Sequence, residues 1–212
     1  GWIARYYIEP GFHFSYLPLI QPWPGHGMYW HFVVTGLLAL LVAAGLCYRV
    51  AAWLFCLAFS YIFLLDKAQY LNHFYLIALL SLLLAVVPAQ RACSLDRARA
   101  RRPGAPTVPR WGLLILRFQI AVVYVYGGVA KLNADWLSGQ PLGEWLARRG
   151  DLFLIGPLLA QPWAGVAFGW GGLLIDLCVP FLLLWPRSFW LGALAAVAFN
   201  TLNGLIFSIG VF

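Results

Sequence analysis

The chain has 212 residues, of which 63% are hydrophobic and 10% are charged, whereas an average soluble domain has about 25% charged residues. The apolar residues form long blocks. This pattern excludes an ordinary soluble domain and predicts an all-α, polytopic integral membrane protein that crosses the lipid bilayer. The net charge of +7 does not indicate nucleic-acid binding, because six of the 14 basic residues lie in one short loop.

Six apolar blocks are candidate membrane-spanning helices, each near the length of about 20 residues that a helix needs to cross the hydrocarbon core. They are residues 30–48, 50–65, 73–89, 111–130, 163–185 and 188–207. The segment before them, residues 1–29, is rich in Pro, Gly and aromatic residues and cannot be one straight helix. We expect this segment to cap a site or to dip into the membrane interface.

The cysteines and the chain ends carry little information about function. Cys47, Cys56, Cys93 and Cys178 form no CxxC pair, and no Cys/His spacing fits a zinc site, so we expect no metal. The first residues lack the pattern of a signal peptide. We expect residues 1–212 to form one transmembrane core that belongs to a longer chain.

The basic residues predict the orientation of the spans, because loops with an excess of Lys and Arg stay in the cytoplasm. The loop at residues 90–110 carries six arginines and is therefore predicted to be cytoplasmic. These arginines are Arg91, Arg97, Arg99, Arg101, Arg102 and Arg110. Alternation of the spans then places the start of the third span and the ends of the fourth and sixth on the extracytoplasmic face.

Two charged residues lie well inside the predicted spans, Arg117 in the fourth and Asp176 in the fifth. At about 1.5 Å of rise per residue, they lie at comparable distances from the cytoplasmic ends of their spans. A charge inside a membrane is unfavourable unless it has a partner. We therefore predict a structural ion pair between Arg117 and Asp176.

Lys131 stands at the end of the fourth span, in the stretch YGGVAKLNADW at residues 126–136. A lysine at such a position is often a boundary residue whose amine reaches the membrane interface. Gly127 and Gly128, one turn earlier, favour a functional role, because they allow a helix or a ligand to approach the backbone closely. From the residues alone, both interpretations stay open.

Further polar side chains are predicted on the same extracytoplasmic face. His73 begins the third span and Asn72 precedes it; a single histidine at such a position is more often an ordinary interfacial residue than a catalytic one. Asn200 and Asn203 are three residues apart and share one face of the sixth span. Two amides on one face are too polar to face lipid, so we expect them to face protein, water or a ligand.

Four segments resemble the vitamin K-dependent γ-glutamyl carboxylases, whose membrane core is the horizontally transferred transmembrane (HTTM) domain. In order, they are CYRVAAWLFCLAFSYIFLLDKAQYLNHFYL, LRFQIAVVYVYGGVAKLNADW, GGLLIDL and NGLIFSIGVF. The lysine motif and the Asn-His motif are the specific parts of this resemblance. It extends from about residue 48 to residue 212.

The resemblance implies a membrane enzyme with its active site on the extracytoplasmic or lumenal face of a bacterial inner membrane or the endoplasmic reticulum. Lys131 would be the base that deprotonates reduced vitamin K (menaquinol or phylloquinol), and Asn72 and His73 would support the quinone oxygens. A base must be neutral, so Lys131 would act as a free amine. O2 and CO2 would be co-substrates, and a glutamate-containing protein or peptide would be carboxylated. Asn200, Asn203, Gly127 and Gly128 would contribute to substrate or cofactor binding.

The sequence also departs from the carboxylase pattern. Ala130 stands where those enzymes often have a second lysine, Asn133 replaces an aspartate, and Asn200 replaces a histidine. The carboxylases bind their protein substrate largely through a lumenal domain that follows the membrane core. Two alternatives therefore stay open: a membrane quinone oxidoreductase of the same family without protein carboxylation, and a non-enzymatic carrier or membrane partner protein.

Overall fold

A computed structural model describes residues 1–91, 93–100, 107, 109–153 and 155–207. These residues contain helices and no β-strand, which confirms the predicted all-α class. Arg101 and Arg102 of the basic loop, and residues 208–212 of the last motif, lie outside the described part. The α-helices are α1 (Gly27–Ala44), α2 (Tyr48–Leu65), α3 (Asn72–Val86), α4 (Leu95–Arg99), α5 (Arg110–Ala130), α6 (Ala134–Leu137), α7 (Leu142–Ala147), α8 (Gly156–Leu159), α9 (Ala164–Leu184) and α10 (Phe189–Phe207).

Each predicted span corresponds to a helix. Among the described residues, five helices are long and apolar enough to cross a membrane: α1, α2, α5, α9 and α10. The helix of the third predicted span, α3, has 15 residues. Many of their large apolar side chains are exposed, including Leu40 (67%) and Leu194 (68%), as is normal for surfaces that lipid covers. The protein is therefore an integral membrane protein built as a helical bundle.

Prolines set the ends of two of these helices. The predicted third span extended to residue 89, but α3 ends at Val86 because Val87 precedes Pro88 and is extended (φ −73°, ψ 129°). Likewise, α9 ends at Leu184, and Trp185, which precedes Pro186, is extended (φ −93°, ψ 121°). The proline ring disfavours helical backbone in the residue before it.

The chain divides into two compact units, Gly1–Leu116 and Arg117–Phe212, with the boundary inside α5. In the first unit, α2 packs against both α1 and α3. The turn between α1 and α2 is closed by Gly45, which has a left-handed conformation (φ 62°). The carboxylate of Asp96 in α4 accepts hydrogen bonds from the backbone N–H groups of Cys47 and Tyr48, both at 2.8 Å, and so caps α2.

The sequence predicted that the segment before α1 is not one straight helix, and the structure confirms this. It begins with a π-helix at Ala4–Ile8, and no helix is present from residue 9 to residue 26. Tyr7 of the π-helix is buried with Met28, Ile62 and Leu65, which form the main apolar cluster of this unit.

In the second unit, α10 packs against α9, and the connection from α5 to α9 contains the short helices α6, α7 and α8, which also pack against α9. Leu146, Leu159, Ala164 and Ile206 form the buried cluster. The guanidinium of Arg149 donates hydrogen bonds to the backbone carbonyls of Ile206 (2.7 Å) and Leu205 (3.1 Å) at the end of α10. A cation near the C-terminal end of a helix interacts favourably with its last carbonyls.

Candidate active site

Lys131 is the first residue after α5, and its ammonium group is paired with a carboxylate on α9. Nζ of Lys131 donates a hydrogen bond to Oδ2 of Asp176. The Lys131 side chain is 21% exposed and the Asp176 side chain is 9% exposed. The lysine therefore does not reach away from the protein as a boundary residue would. It is held in a largely buried ion pair.

Two glycines leave the space that this pair occupies. A Cβ atom on Gly127 would lie 3.2 Å from Oδ2 of Asp176, and one on Gly128 would lie 2.6 Å from Cδ2 of Leu177. The second distance is shorter than any ordinary contact. The neighbour that approaches these glycines is therefore α9, and a role for them in ligand binding stays a prediction.

The predicted ion pair between Arg117 and Asp176 is wrong. Arg117 is exposed, and in the described part of the chain Asp176 has Lys131 as its ionic partner. The reason is the register of the helices. The first turns of α9 lie beside the connection from α5, with Gly169 packed on Trp136, so Asp176 is level with Gly127. Arg117 lies ten residues earlier in α5, about 15 Å away along the helix axis.

Trp136 forms one wall beside the amine. Its ring centroid is 5.5 Å from Nζ of Lys131, within the range of a cation–π contact. The ring and the backbone of Trp136 are each held by a hydrogen bond. The ring Nε1–H donates to the carbonyl of Gly169 at 3.1 Å, and the backbone N–H donates to Oδ1 of Asn133 at 2.9 Å. Asn133 is thereby the N-cap of α6, a role that an aspartate could also fill.

A second polar contact joins α5 to α10. The side-chain amide of Asn200 donates to the hydroxyl of Tyr124 at 3.3 Å and to the carbonyl of Ala196 at 2.8 Å. Asn200 thus faces protein, which is one of the three environments that the sequence predicted. Asn203 is half-buried one turn further along α10.

The site residues contributed by the C-terminal part of α5 and by Lys131 directly after it share one face. Tyr124, Gly127, Gly128 and Lys131 follow the i, i+3, i+4, i+7 spacing that places residues on one side. Gly172 of α9 lies beside both Phe199 of α10 and the stem of Lys131. A Cβ atom built on Gly172 would be 3.8 Å from the phenyl ring and 3.9 Å from Cε of the lysine. The site is thus formed by one face each of α5, α9 and α10.

The family model for the HTTM domain matches residues 1–212. The chain belongs to the HTTM domain family. No solved structure matches it.

Asn72 and His73 lie in the first unit of this HTTM protein, in the first turn of α3. Asn72 is exposed and His73 is half-buried, with its ring 4.9 Å from the ring of Phe74. The preceding residue, Leu71, provides no side-chain cap. The N-terminal end of a helix stabilises nearby negative charge. An oxyanion beside Asn72 and His73 would therefore be stabilised by the end of α3.

Sequence reasoning missed three contributors to the HTTM site: Asp176 as the partner of Lys131, Trp136 and Tyr124. The position of Tyr124, three residues before Gly127 and seven before Lys131, was a usable indication. The positions of the other two depend on the unpredicted helices α6 to α8. No group of three or more His, Cys, Asp or Glu side chains that could hold a metal ion occurs in the described part of the chain.

The Lys131–Asp176 arrangement is suited to moving a proton. Nζ of Lys131 donates a hydrogen bond directly to Oδ2 of Asp176. As a neutral amine, Lys131 would keep this bond to the carboxylate and have its lone pair available to accept a proton. Because both side chains are shielded from water, a proton taken by Lys131 can pass to Asp176 without entering solvent.

Proposed function

We propose that this HTTM protein is a vitamin K hydroquinone epoxidase of the γ-glutamyl carboxylase type, with Lys131 as the catalytic base. The observation that supports it is the largely buried pair of Lys131 and Asp176, inside the motif that resembles the lysine motif of the carboxylases. The match to that motif and the indole of Trp136 beside the amine favour a functional role over an isolated structural ion pair.

The residues around Lys131 fit an aromatic, lipid-soluble diol. The indole of Trp136 and the ring of Phe199 provide flat apolar surfaces near the lysine stem, and the amine provides one basic group. When bound, the quinol would supply a phenolic proton and, with O2, the oxidation that yields epoxide and water while CO2 replaces the γ-proton of a glutamyl residue. A phenolic proton is acidic enough for an amine to remove, whereas the γ-proton of glutamate is not.

The residues of the chain have separate tasks in this proposal. Starting as a neutral amine beside the Asp176 carboxylate, Lys131 accepts the phenolic proton on Nζ, and Asp176 holds the amine in place and then receives the proton on Oδ2. Trp136 excludes water from one side of the amine. Asn72 and His73 keep the role that the resemblance implies, which is to donate hydrogen bonds to developing negative charge on oxygen.

A second candidate is quinol oxidation of the same kind without carboxylation of protein. It is favoured by Asn200, whose amide is bonded to Tyr124 and to Ala196. The carboxylases have a histidine at this position. A carboxamide cannot carry a proton between groups as an imidazole can, so this candidate predicts epoxidation that is not coupled to carboxylation.

One experiment tests both candidates. Purified protein in lipid is given reduced vitamin K, O2, labelled CO2 and a glutamyl peptide, and both the epoxide and the labelled peptide are measured. Epoxide together with labelled peptide supports the carboxylase, and epoxide without label supports the second candidate. If folded protein forms no epoxide under any of these conditions, both candidates are refuted.

A further inference from the structure

The segment between the π-helix and α1 is rich in apolar side chains although it lies outside the spanning helices. No Asp, Glu, Lys or Arg occurs between Glu9 and Arg49, yet α1 begins only at Gly27. Residues 10–26 are called the aromatic segment below. Five of its large apolar side chains are half exposed or more: Phe12 (69%), Phe14 (61%), Leu17 (52%), Leu19 (94%) and Trp23 (50%).

The backbone of the aromatic segment is fixed to the end of α2. The N–H of Lys67 donates to the carbonyl of Phe14 at 2.8 Å, and the N–H of Tyr16 donates to the carbonyl of Leu64 at 3.0 Å. His13 contacts the buried carboxylate of Asp66 at 3.4 Å. The depth of the segment in the membrane is therefore set by the end of the spanning helix α2.

A second attachment holds the other half of the aromatic segment. The hydroxyl of Tyr61 in α2 donates to the carbonyl of Gln21, and the rings of Trp23 and Tyr61 stack with centroids 5.5 Å apart. The indole N–H of Trp23 donates to Nδ1 of His31 in α1 at 3.2 Å. The segment is thus a fixed part of the first unit, with its apolar side chains directed outward.

We propose that the aromatic segment lies in the interfacial layer of the bilayer and inserts its exposed side chains among the upper acyl chains. The spanning helix α1 follows the segment directly and also has exposed apolar side chains, with Trp30 68% exposed and Val34 49% exposed. Water would be an unfavourable environment for so many adjacent apolar side chains.

The backbone of the aromatic segment fits the interface better than the hydrocarbon core. An irregular backbone needs hydrogen-bond partners that acyl chains do not offer, and headgroups and interfacial water supply them. Four of its residues are prolines, which have no N–H group to remove from water. Tryptophan is enriched at this level of membranes.

This placement has a consequence for the first unit. The aromatic segment is bonded to Asp66 and Lys67, and the chain continues from there through a short 3₁₀ turn at Lys67–Gln69 into α3. Anchoring the segment in one leaflet would therefore hold Asn72 and His73 at a fixed depth near the membrane surface.

Spin labels test the placement in the whole chain. The four cysteines are replaced by alanine, a nitroxide is attached at Leu19→Cys or Phe12→Cys, and the protein is reconstituted in phosphatidylcholine vesicles. Power saturation then compares the accessibility of the label to oxygen, which concentrates in lipid, and to a water-soluble nickel chelate. Val34→Cys on the lipid-facing side of α1 and Arg99→Cys on the exposed side of α4 are the reference positions.

We expect the ratio of oxygen to nickel accessibility at Leu19 and Phe12 to be several-fold above the ratio at Arg99 and close to, but below, that at Val34. A ratio equal to that at Arg99 would place the segment in water and overturn the proposal. Low accessibility to both reagents would also overturn it, because protein rather than lipid would then cover the segment. Leu19 is 94% exposed, so its label displaces no packed side chain.

Discussion

The ion pair of Lys131 and Asp176 should behave as an energetically coupled unit when its members are removed singly and together. The proposed variants are Lys131→Met, which keeps most of the apolar stem, Asp176→Ala, and the double variant. Removing one member of a buried pair typically costs about 3–5 kcal/mol, because the other charge is left without a partner.

The exposure of the two side chains predicts which single variant is worse. Lys131→Met leaves the charge of Asp176, which is only 9% exposed, without a partner. Its loss of stability should therefore lie near the upper end of that range. Asp176→Ala leaves Lys131, which is 21% exposed and has a long stem that can carry its amine toward water, so its loss should be smaller. The loss of stability in the double variant should be smaller than the sum of the two single losses by about 0.5–3 kcal/mol, the range for contacting residues.

Unfolding by sodium dodecyl sulfate in mixed micelles, followed by circular dichroism, measures these differences. Arg117→Met tests the partner that the sequence predicted, because Arg117 lies in α5 and is exposed, and its loss of stability should be well below that of Lys131→Met. Additive losses in the double variant would refute the coupling. A loss in Arg117→Met as large as that in Lys131→Met would refute the assignment of the partner.

Three further predictions concern the site and its supports. Gly127→Ala places a methyl group 3.2 Å from Oδ2 of Asp176 and should slow epoxide formation, whereas Gly171→Ala, with nothing within 4 Å, should not; equal rates would contradict the packing argument. Asn133→Ala removes the N-cap of α6 and should lower the free energy of unfolding by about 1 kcal/mol, while Asn133→Asp should retain it. His73→Ala should slow epoxide formation more than His73→Gln, which keeps a hydrogen-bond donor; an identical loss in both would argue against oxyanion stabilisation.

The spanning helices were predictable because a membrane requires long apolar blocks, and these are visible in the sequence. Their ends were less predictable where they depend on one residue, as with α3, which stops before Pro88. The short helices α6 to α8 were not predicted. They are four to six residues long, and such lengths are stabilised by packing on α9 rather than by a repeating apolar pattern.

The same short helices explain the error at the site. Depth was estimated on the assumption that neighbouring spans begin and end at the same level, which placed Arg117 opposite Asp176. Because the connection from α5 packs along the first turns of α9, the register is shifted and Asp176 meets Lys131. The identity of Lys131 as the residue of interest came from the resemblance and from Gly127 and Gly128, and both are properties of the sequence alone.

Lys131→Arg tests the central claim most directly. Arginine keeps the positive charge beside Asp176 but cannot become a neutral base, so it separates the structural task of Lys131 from the chemical one. Lys67→Ala is the control, because Lys67 and Lys131 are the two lysines of the chain. The measurement is the rate of vitamin K epoxide formation by purified protein, with the unfolding transition recorded for each variant.

We expect Lys131→Arg to unfold near the wild-type midpoint and to form epoxide about 100- to 10,000-fold more slowly, the range for loss of a general base. Lys67→Ala should keep the wild-type rate. Epoxide formation by Lys131→Arg at the wild-type rate would contradict the account.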